Sequence, residues 1–138
     1  MKETVMNLQK IFILIFCATV FVLGGCRTYD NNYLRPEDFA VRLREAGLEV
    51  KSVRPLSGEP FRATSGAGIL IDNSEIGIYK FDITSKPGRD RLEQVKQSKR
   101  FYIKGLPFPV EVRGSFAIMG LEKHRLKRKI LKVFDDFY

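Results

Sequence analysis

The sequence predicts an α+β domain with a mostly antiparallel sheet and with helices packed on one face. Two observations lead to this class. The segments follow the order helix, strand, hairpin, helix, strands, helix, and the adjacent strands favour antiparallel pairing. Removal of the export signal described below leaves about 113 of the 138 residues, which suits one domain with one modest core.

The first helix is predicted between Pro36 and Gly47. Proline suits the first helical turn, the two acids that follow it complement the helix dipole, and glycine suits the position after the last turn. Phe39 and Leu43 repeat at helical spacing and define one apolar face. The alternating residues 48–53 then predict a short strand.

A hairpin is predicted in the middle of the chain. Residues 54–68 are rich in Pro, Ser and Gly and are expected to form a loop. The apolar residues 69–71, a polar turn at 72–75 and a second strand at 76–81 then give the hairpin pattern. Gly77 inside the second strand indicates a bulge or close packing.

The second half of the chain predicts two helices with strands between them. Residues 86–99 are highly charged, with Leu92 and Val95 as a narrow apolar stripe on a surface helix. Strands are expected at 101–103, 108–112 and 115–119, and Pro107 and Pro109 confine the middle strand to a sheet edge or an irregular start. The last helix is expected from about Leu121, with these buried residues: Leu126, Ile130, Val133, Phe134 and Phe137.

The first residues of the chain have the features of an export signal. Lys2 and Lys10 precede an apolar run at 11–23, and two glycines follow it. The run has about 13 residues, whereas a membrane-spanning helix needs roughly 20. A cleaved signal is therefore predicted, and an uncleaved membrane anchor is the disfavoured alternative.

The end of this run is Leu23-Gly24-Gly25-Cys26. It resembles the lipobox of bacterial lipoproteins, in which Leu, a small residue, and Gly or Ala precede a cysteine. The resemblance implies a diacylglyceryl group on the Cys26 sulfur and cleavage between Gly25 and Cys26 by the lipoprotein signal peptidase. Cys17 would leave with the signal, so Cys26 would be the only cysteine of the mature chain. An ordinary secretory signal with an incidental cysteine is the alternative.

This resemblance divides the chain into a signal peptide at 1–25, a lipidated tether at 26–33 and a single domain at 34–138. Translation from Met1 or Met6 would give the same mature protein. The expected location is the bacterial cell envelope. In Gram-negative lipoproteins an Asp after the cysteine commonly causes retention in the inner membrane. Arg27 stands there instead, which favours the outer membrane, facing the periplasm, if the organism has one.

No catalytic, cofactor-binding or metal-binding residues are predicted. His124 is the only histidine, lies in a run of Lys and Arg, and is expected to face solvent on a basic helix. Residues 64–68 lack the lysine of a phosphate-binding loop and are expected to be a flexible lead into the hairpin. Asp135 and Asp136 are expected at a solvated helix end, because two acids do not form a cation cage.

Positive charge is concentrated near the last helix. The formal net charge is +8, of which the predicted signal peptide carries about one unit. Because the chain is predicted to be exported, nucleic acid is not an expected partner. The expected contact is an anionic lipid headgroup, an anionic glycan or an acidic envelope protein. Alternatively, these charges only solvate the outer helix face. We call these residues the basic cluster: Lys123, Arg125, Lys127, Arg128, Lys129 and Lys132.

The sequence therefore predicts a non-catalytic binding or accessory protein, which is held on a membrane surface by its lipid. The strand Ile78-Tyr79-Lys80-Phe81, the charged helix and Phe101-Tyr102 resemble small bacterial envelope proteins that have no known activity. The alternative function is a small membrane-tethered hydrolase that uses carboxylates brought together by folding.

Overall fold

The computed structural model describes residues 31–138, so the predicted signal peptide and Cys26 lie outside the described residues. The elements are α1 (Asp38–Glu45), β1 (Val50–Leu56), a 3-10 turn (Glu59–Phe61), β2 (Ser65–Ile71), β3 (Ser74–Lys80), α2 (Lys86–Ser98), β4 (Arg100–Ile103), β5 (Leu106–Arg113), β6 (Phe116–Met119) and α3 (Lys127–Asp135). The six strands form one sheet in the order β1-β2-β3-β6-β5-β4, and all neighbours are antiparallel. The predicted α+β class with an antiparallel sheet is confirmed.

Helices α1 and α3 pack on the same face of the sheet. Their buried aromatic residues meet edge to face, with 5.6 Å between the ring centroids of Phe39 and Phe134. Ile130 of α3 joins them, and Ile78 and Ile118 contribute from the sheet. This cluster is the larger of the two that form the core. Its helical members include Phe39, Leu43 and Phe134, which the sequence predicts to be buried.

Helix α2 contributes to a second cluster on the opposite face. Neighbouring strand residues point to opposite faces, so Tyr79 belongs to this cluster while Ile78 belongs to the first. As predicted, α2 buries only Leu92 and Val95. The predicted arrangement on one face thus holds for α1 and α3, and α2 covers the aromatic residues of the other face.

The prediction of a loop at 54–68 is wrong at both ends of the segment. Strand β1 continues to Leu56, and β2 begins at Ser65, so the segment expected to be a flexible lead is a buried strand. The glycines of β2 provide space: a Cβ on Gly66 would lie 2.7 Å from the Tyr79 ring. Gly77 pairs in register with no bulge, and a Cβ there would lie 3.0 Å from the same ring, which confirms the predicted close packing.

Two details of the C-terminal half complete the fold. Helix α3 begins at Lys127, six residues later than predicted, because the preceding segment forms turns. Its burial pattern agrees with the prediction at Ile130, Phe134 and Phe137, while Leu126 and Val133 are partly buried. The first half of β5, which contains both prolines, pairs only with β4, as expected for an irregular start.

Candidate functional site

Asn31, the first described residue, is fully buried. Its Nδ2 donates hydrogen bonds to the carbonyl oxygens of Phe137 (2.9 Å) and Arg113 (3.3 Å). Its Oδ1 accepts from the backbone N–H (2.8 Å) and the hydroxyl (3.1 Å) of Ser115. The residues predicted as a tether therefore include one that belongs to the packed fold.

A lysine holds the residues that follow Asn31. The Nζ of Lys80 donates to the carbonyl oxygen of Leu34 (2.7 Å) and to that of Asn32. The same ammonium lies 5.9 Å from the centroid of the Phe116 ring. The entering segment is thus held against the last residue of β3.

These contacts define two ends of the sheet. At the Asn31 end, β3 ends at Lys80 and β5 ends at Arg113. At the opposite end, which we call the Asp72 end, Asp72 and Asn73 join β2 to β3. The six residue steps of β3 separate the two ends by about 20 Å.

The basic cluster extends from one end to the other. Arg125 donates to the Asp72 carboxylate at 2.8 Å, which places the start of the cluster at the Asp72 end and lowers the pKa of Asp72. Asp135, the last residue of α3, accepts from Nε of Arg113 at 2.7 Å, at the Asn31 end. Asp135 and Asp136 are exposed at the end of α3, as predicted, and Asp135 also forms this ion pair.

Most of the basic cluster is exposed and not ion-paired. Among the residues that the structure describes, Arg125 is its only member with a salt bridge. Lys129 and Lys132 line a cleft of about 330 Å³ between α3 and the end of α1. Leu48 and Val133 provide apolar walls, and Asp136 adds one acid. The structure therefore places two of the predicted contact residues beside a concave, partly apolar surface.

A second cleft, of about 590 Å³, opens at the Asn31 end and is lined by both charge signs, with Arg35 and Lys80 facing Glu37 and Asp82. The Asp82 carboxylate accepts hydrogen bonds from the backbone N–H and the hydroxyl of Thr84, which lowers its pKa to about 2. Asp82 is thus ionised at neutral pH. No local sequence pattern indicates this cleft, because its sides come from distant segments.

His124 does not face solvent, so the prediction for this residue is wrong. Its side chain is only 6% exposed, and its Nδ1 accepts a hydrogen bond from the backbone N–H of Leu126 at 3.1 Å. The Nε2 atom is buried and has no hydrogen-bond partner in the described part of the chain. The turn before α3 directs this ring inward, while its charged neighbours Lys123 and Arg125 point outward. The prediction of an exposed His124 was based on these charged neighbours.

Three features are absent from residues 31–138. No Asp or Glu there is buried, so the buried, paired set of acids that would favour the alternative hydrolase is absent from this region. The same residues contain no group of three metal-ligating side chains. None of their helices is long and apolar enough to cross a membrane.

No family model, curated protein or solved structure matches the chain. A proposal for its function therefore depends on its own residues. Those that carry most information are the lipobox-like segment, Asn31 at the entry to the domain, and the cleft beside Lys129 and Lys132.

Proposed function

We propose that this chain is a lipid-anchored protein of the bacterial cell envelope that acts as a non-catalytic binding module for an anionic partner. The anchor part of the proposal rests on the Leu23-Gly24-Gly25-Cys26 segment and the apolar run before it. Asn31, which lies only five residues after Cys26, is already packed in the domain, so little chain separates the proposed anchor from the fold. A domain joined so directly to its lipid would work at the membrane surface, and two or three acyl chains would hold it stably.

The binding part rests on one observation, the position of Lys129 and Lys132 beside the apolar walls of their cleft. Neither lysine forms a salt bridge within the described residues. Positive charge beside apolar surface suits a ligand that has both carboxylates and apolar side chains. An acidic segment of another envelope protein fits this description better than a glycan or a headgroup, which would leave the apolar walls uncovered. Arg27 favours the outer membrane, facing the periplasm, in a Gram-negative organism.

The anchor is tested by metabolic labelling of cells with a fatty-acid analogue. The wild-type protein is expected to take up the label, and Cys26→Ala is expected to lose it and to keep the mass of the unprocessed precursor. Cys17→Ala is the matched control, since it removes the other cysteine of the sequence and should leave labelling unchanged. A Cys26→Ala protein that keeps both the label and the processed size would contradict the proposal.

The partner is tested by a photo-crosslinking amino acid placed at Lys132 in intact cells. Exposed Lys96 of α2, which lies on the opposite face of the sheet, is the control position. A discrete crosslinked protein is expected from position 132 only, and Lys129→Glu with Lys132→Glu should abolish it. The same products from both positions, or products unchanged by charge reversal, would contradict a specific role for the cleft.

A further inference from the structure

The buried position of Asn31 limits how far the domain can stand from a lipid on Cys26. Five residue steps span at most about 18 Å. The headgroup layer that the lipidated residue must pass through is about 5 to 8 Å thick. Asn31 therefore lies within roughly 10 to 13 Å of the outer surface of the headgroups. The Asn31 end is the part of the domain held nearest to the bilayer.

Two exposed tyrosines lie at this end. Tyr33 is 72% exposed and follows Asn31 by two residues, while Tyr138 is 45% exposed and follows Phe137, the residue whose carbonyl accepts from Asn31. Tyrosine has an apolar ring and a polar hydroxyl, and it is enriched where proteins meet the headgroup layer. An exposed aromatic pair at this distance from an anchor is suited to contact with lipid.

The charges at the Asn31 end are compatible with a bilayer contact there. At the Asn31 end, Arg35 pairs with Asp38, and Arg113 pairs with Asp135. The cleft there adds Lys80 and the two acids Glu37 and Asp82, so the charges nearly balance. The basic cluster begins at the Asp72 end, where Arg125 binds Asp72. A bilayer contact at the Asn31 end would therefore depend on aromatic side chains and would leave the start of the basic cluster in solvent.

We propose that the Asn31 end is the membrane-facing surface of the domain, with Tyr33 and Tyr138 in the headgroup layer of the bilayer that carries the anchor. This inference rests on the proposed lipidation of Cys26. It adds a fixed orientation to that proposal, in which the turn between β2 and β3 points away from the membrane.

The chain contains no tryptophan, so one substitution creates a unique fluorescent reporter. Three full-length lipidated variants are compared: Tyr33→Trp, Tyr138→Trp and Tyr102→Trp. Tyr102 is the matched control, because it is 58% exposed and pairs with Pro107, at the far end of β5 from Arg113. Each protein is reconstituted into vesicles of phosphatidylethanolamine and phosphatidylglycerol that contain lipids brominated near the headgroup, and circular dichroism verifies its folding.

Vesicle flotation separates the two proposals. Proteins that float, with blue-shifted emission and several-fold stronger bromine quenching at positions 33 and 138 than at 102, would support the orientation. Floating proteins with equal quenching at all three positions, or stronger quenching at 102, would overturn the orientation and leave the anchor intact. Proteins that neither float nor carry the fatty-acid label would overturn both proposals.

Discussion

The side-chain oxygen of Asn31 accepts two hydrogen bonds from Ser115, one from the backbone N–H at 2.8 Å and one from the hydroxyl at 3.1 Å. The two residues are 84 positions apart and both are fully buried. The Asn31 amide nitrogen binds the carbonyl of Phe137 as well, so one side chain joins the start of the described chain, the turn between β5 and β6, and the residues after α3.

Asn31→Ala is expected to lower the free energy of unfolding by about 2 to 4 kcal/mol, because it leaves buried groups of Ser115 and Phe137 without partners. Urea unfolding of the purified protein measures this change. Gln97→Ala, which removes an exposed amide from α2, is the control and should change stability by less than about 0.5 kcal/mol. Equal stability of the two variants would show that the hydrogen bonds of Asn31 do not stabilise the fold.

Gly114→Ala is expected to disturb the same contact. Gly114 has a φ of +53°, and an added Cβ would clash with the side-chain amide of Asn31. Gly105→Ala is the matched control, since Gly105 also has a positive φ (+80°) but has open space around it, so only backbone strain of about 1 kcal/mol is expected. Gly114→Ala should lower the free energy of unfolding clearly more than Gly105→Ala does. This loss should be smaller in an Asn31→Ala background, because the clash with the Asn31 side chain is then absent. Strictly additive losses would contradict the assigned coupling.

His124→Ala is expected to destabilise the protein by about 1 to 3 kcal/mol, since it empties a buried position and leaves the Leu126 N–H without its acceptor. Thermal or urea unfolding measures the loss. Lys123→Ala changes the exposed neighbour and should be nearly neutral. A neutral His124→Ala would mean that the imidazole is not buried in the turn before α3.

Acid should weaken the fold partly through Asp82. Its pKa is about 2 in the folded chain, because Thr84 donates hydrogen bonds to it, whereas an unfolded Asp titrates near 3.9. Its stabilising contribution is therefore fully present above about pH 4 and is lost as the pH falls through 2. Arg125 and Arg54 also lower the pKa values of Asp72 and Glu75, so the wild-type protein should lose stability for several reasons in this range.

The contribution of Asp82 is isolated by measuring urea midpoints of the wild type and Asp82→Asn between pH 5 and pH 2. The variant should show a shallower fall in stability below pH 4, since one of the titrating groups is gone. Identical pH profiles for the two proteins would contradict the assigned shift in the pKa of Asp82.

The sequence predicts correctly the helices and the hairpin whose structure depends on residues close together in the chain. Helix α2 is predicted to within one residue at its end, because its charged run and its apolar pair Leu92 and Val95 are local features. The hairpin between β2 and β3 was visible for the same reason. Helix α1 likewise ends before Gly47, whose φ of +80° suits the position after the last turn.

The errors have a common physical origin in contacts between distant residues. Gly66 and Gly68 are strand residues that pair with β1 and β3. Glycine suits these positions because the Tyr79 ring and the Glu75 carboxylate occupy the space that a side chain would fill. Asn31 lies in a polar segment, and its hydrogen-bond partners are 82 to 106 positions away. No local pattern could reveal that it is buried. The cleft beside Lys129 needs α1 and α3 together, so only its charges were visible in the sequence.

The bond from Asn31 to the Phe137 carbonyl also has a practical consequence for labelling the protein. A reporter or epitope fused after Tyr138 would emerge beside Asn31. In the proposed orientation it would be crowded against the membrane, and steric pressure could tilt the domain. A short tag inserted between Asp72 and Asn73 would project from the other end of the sheet, although it would cost the ion pair to Arg125. Under the proposed orientation, a tag at that turn therefore leaves the Asn31 end free to contact the bilayer.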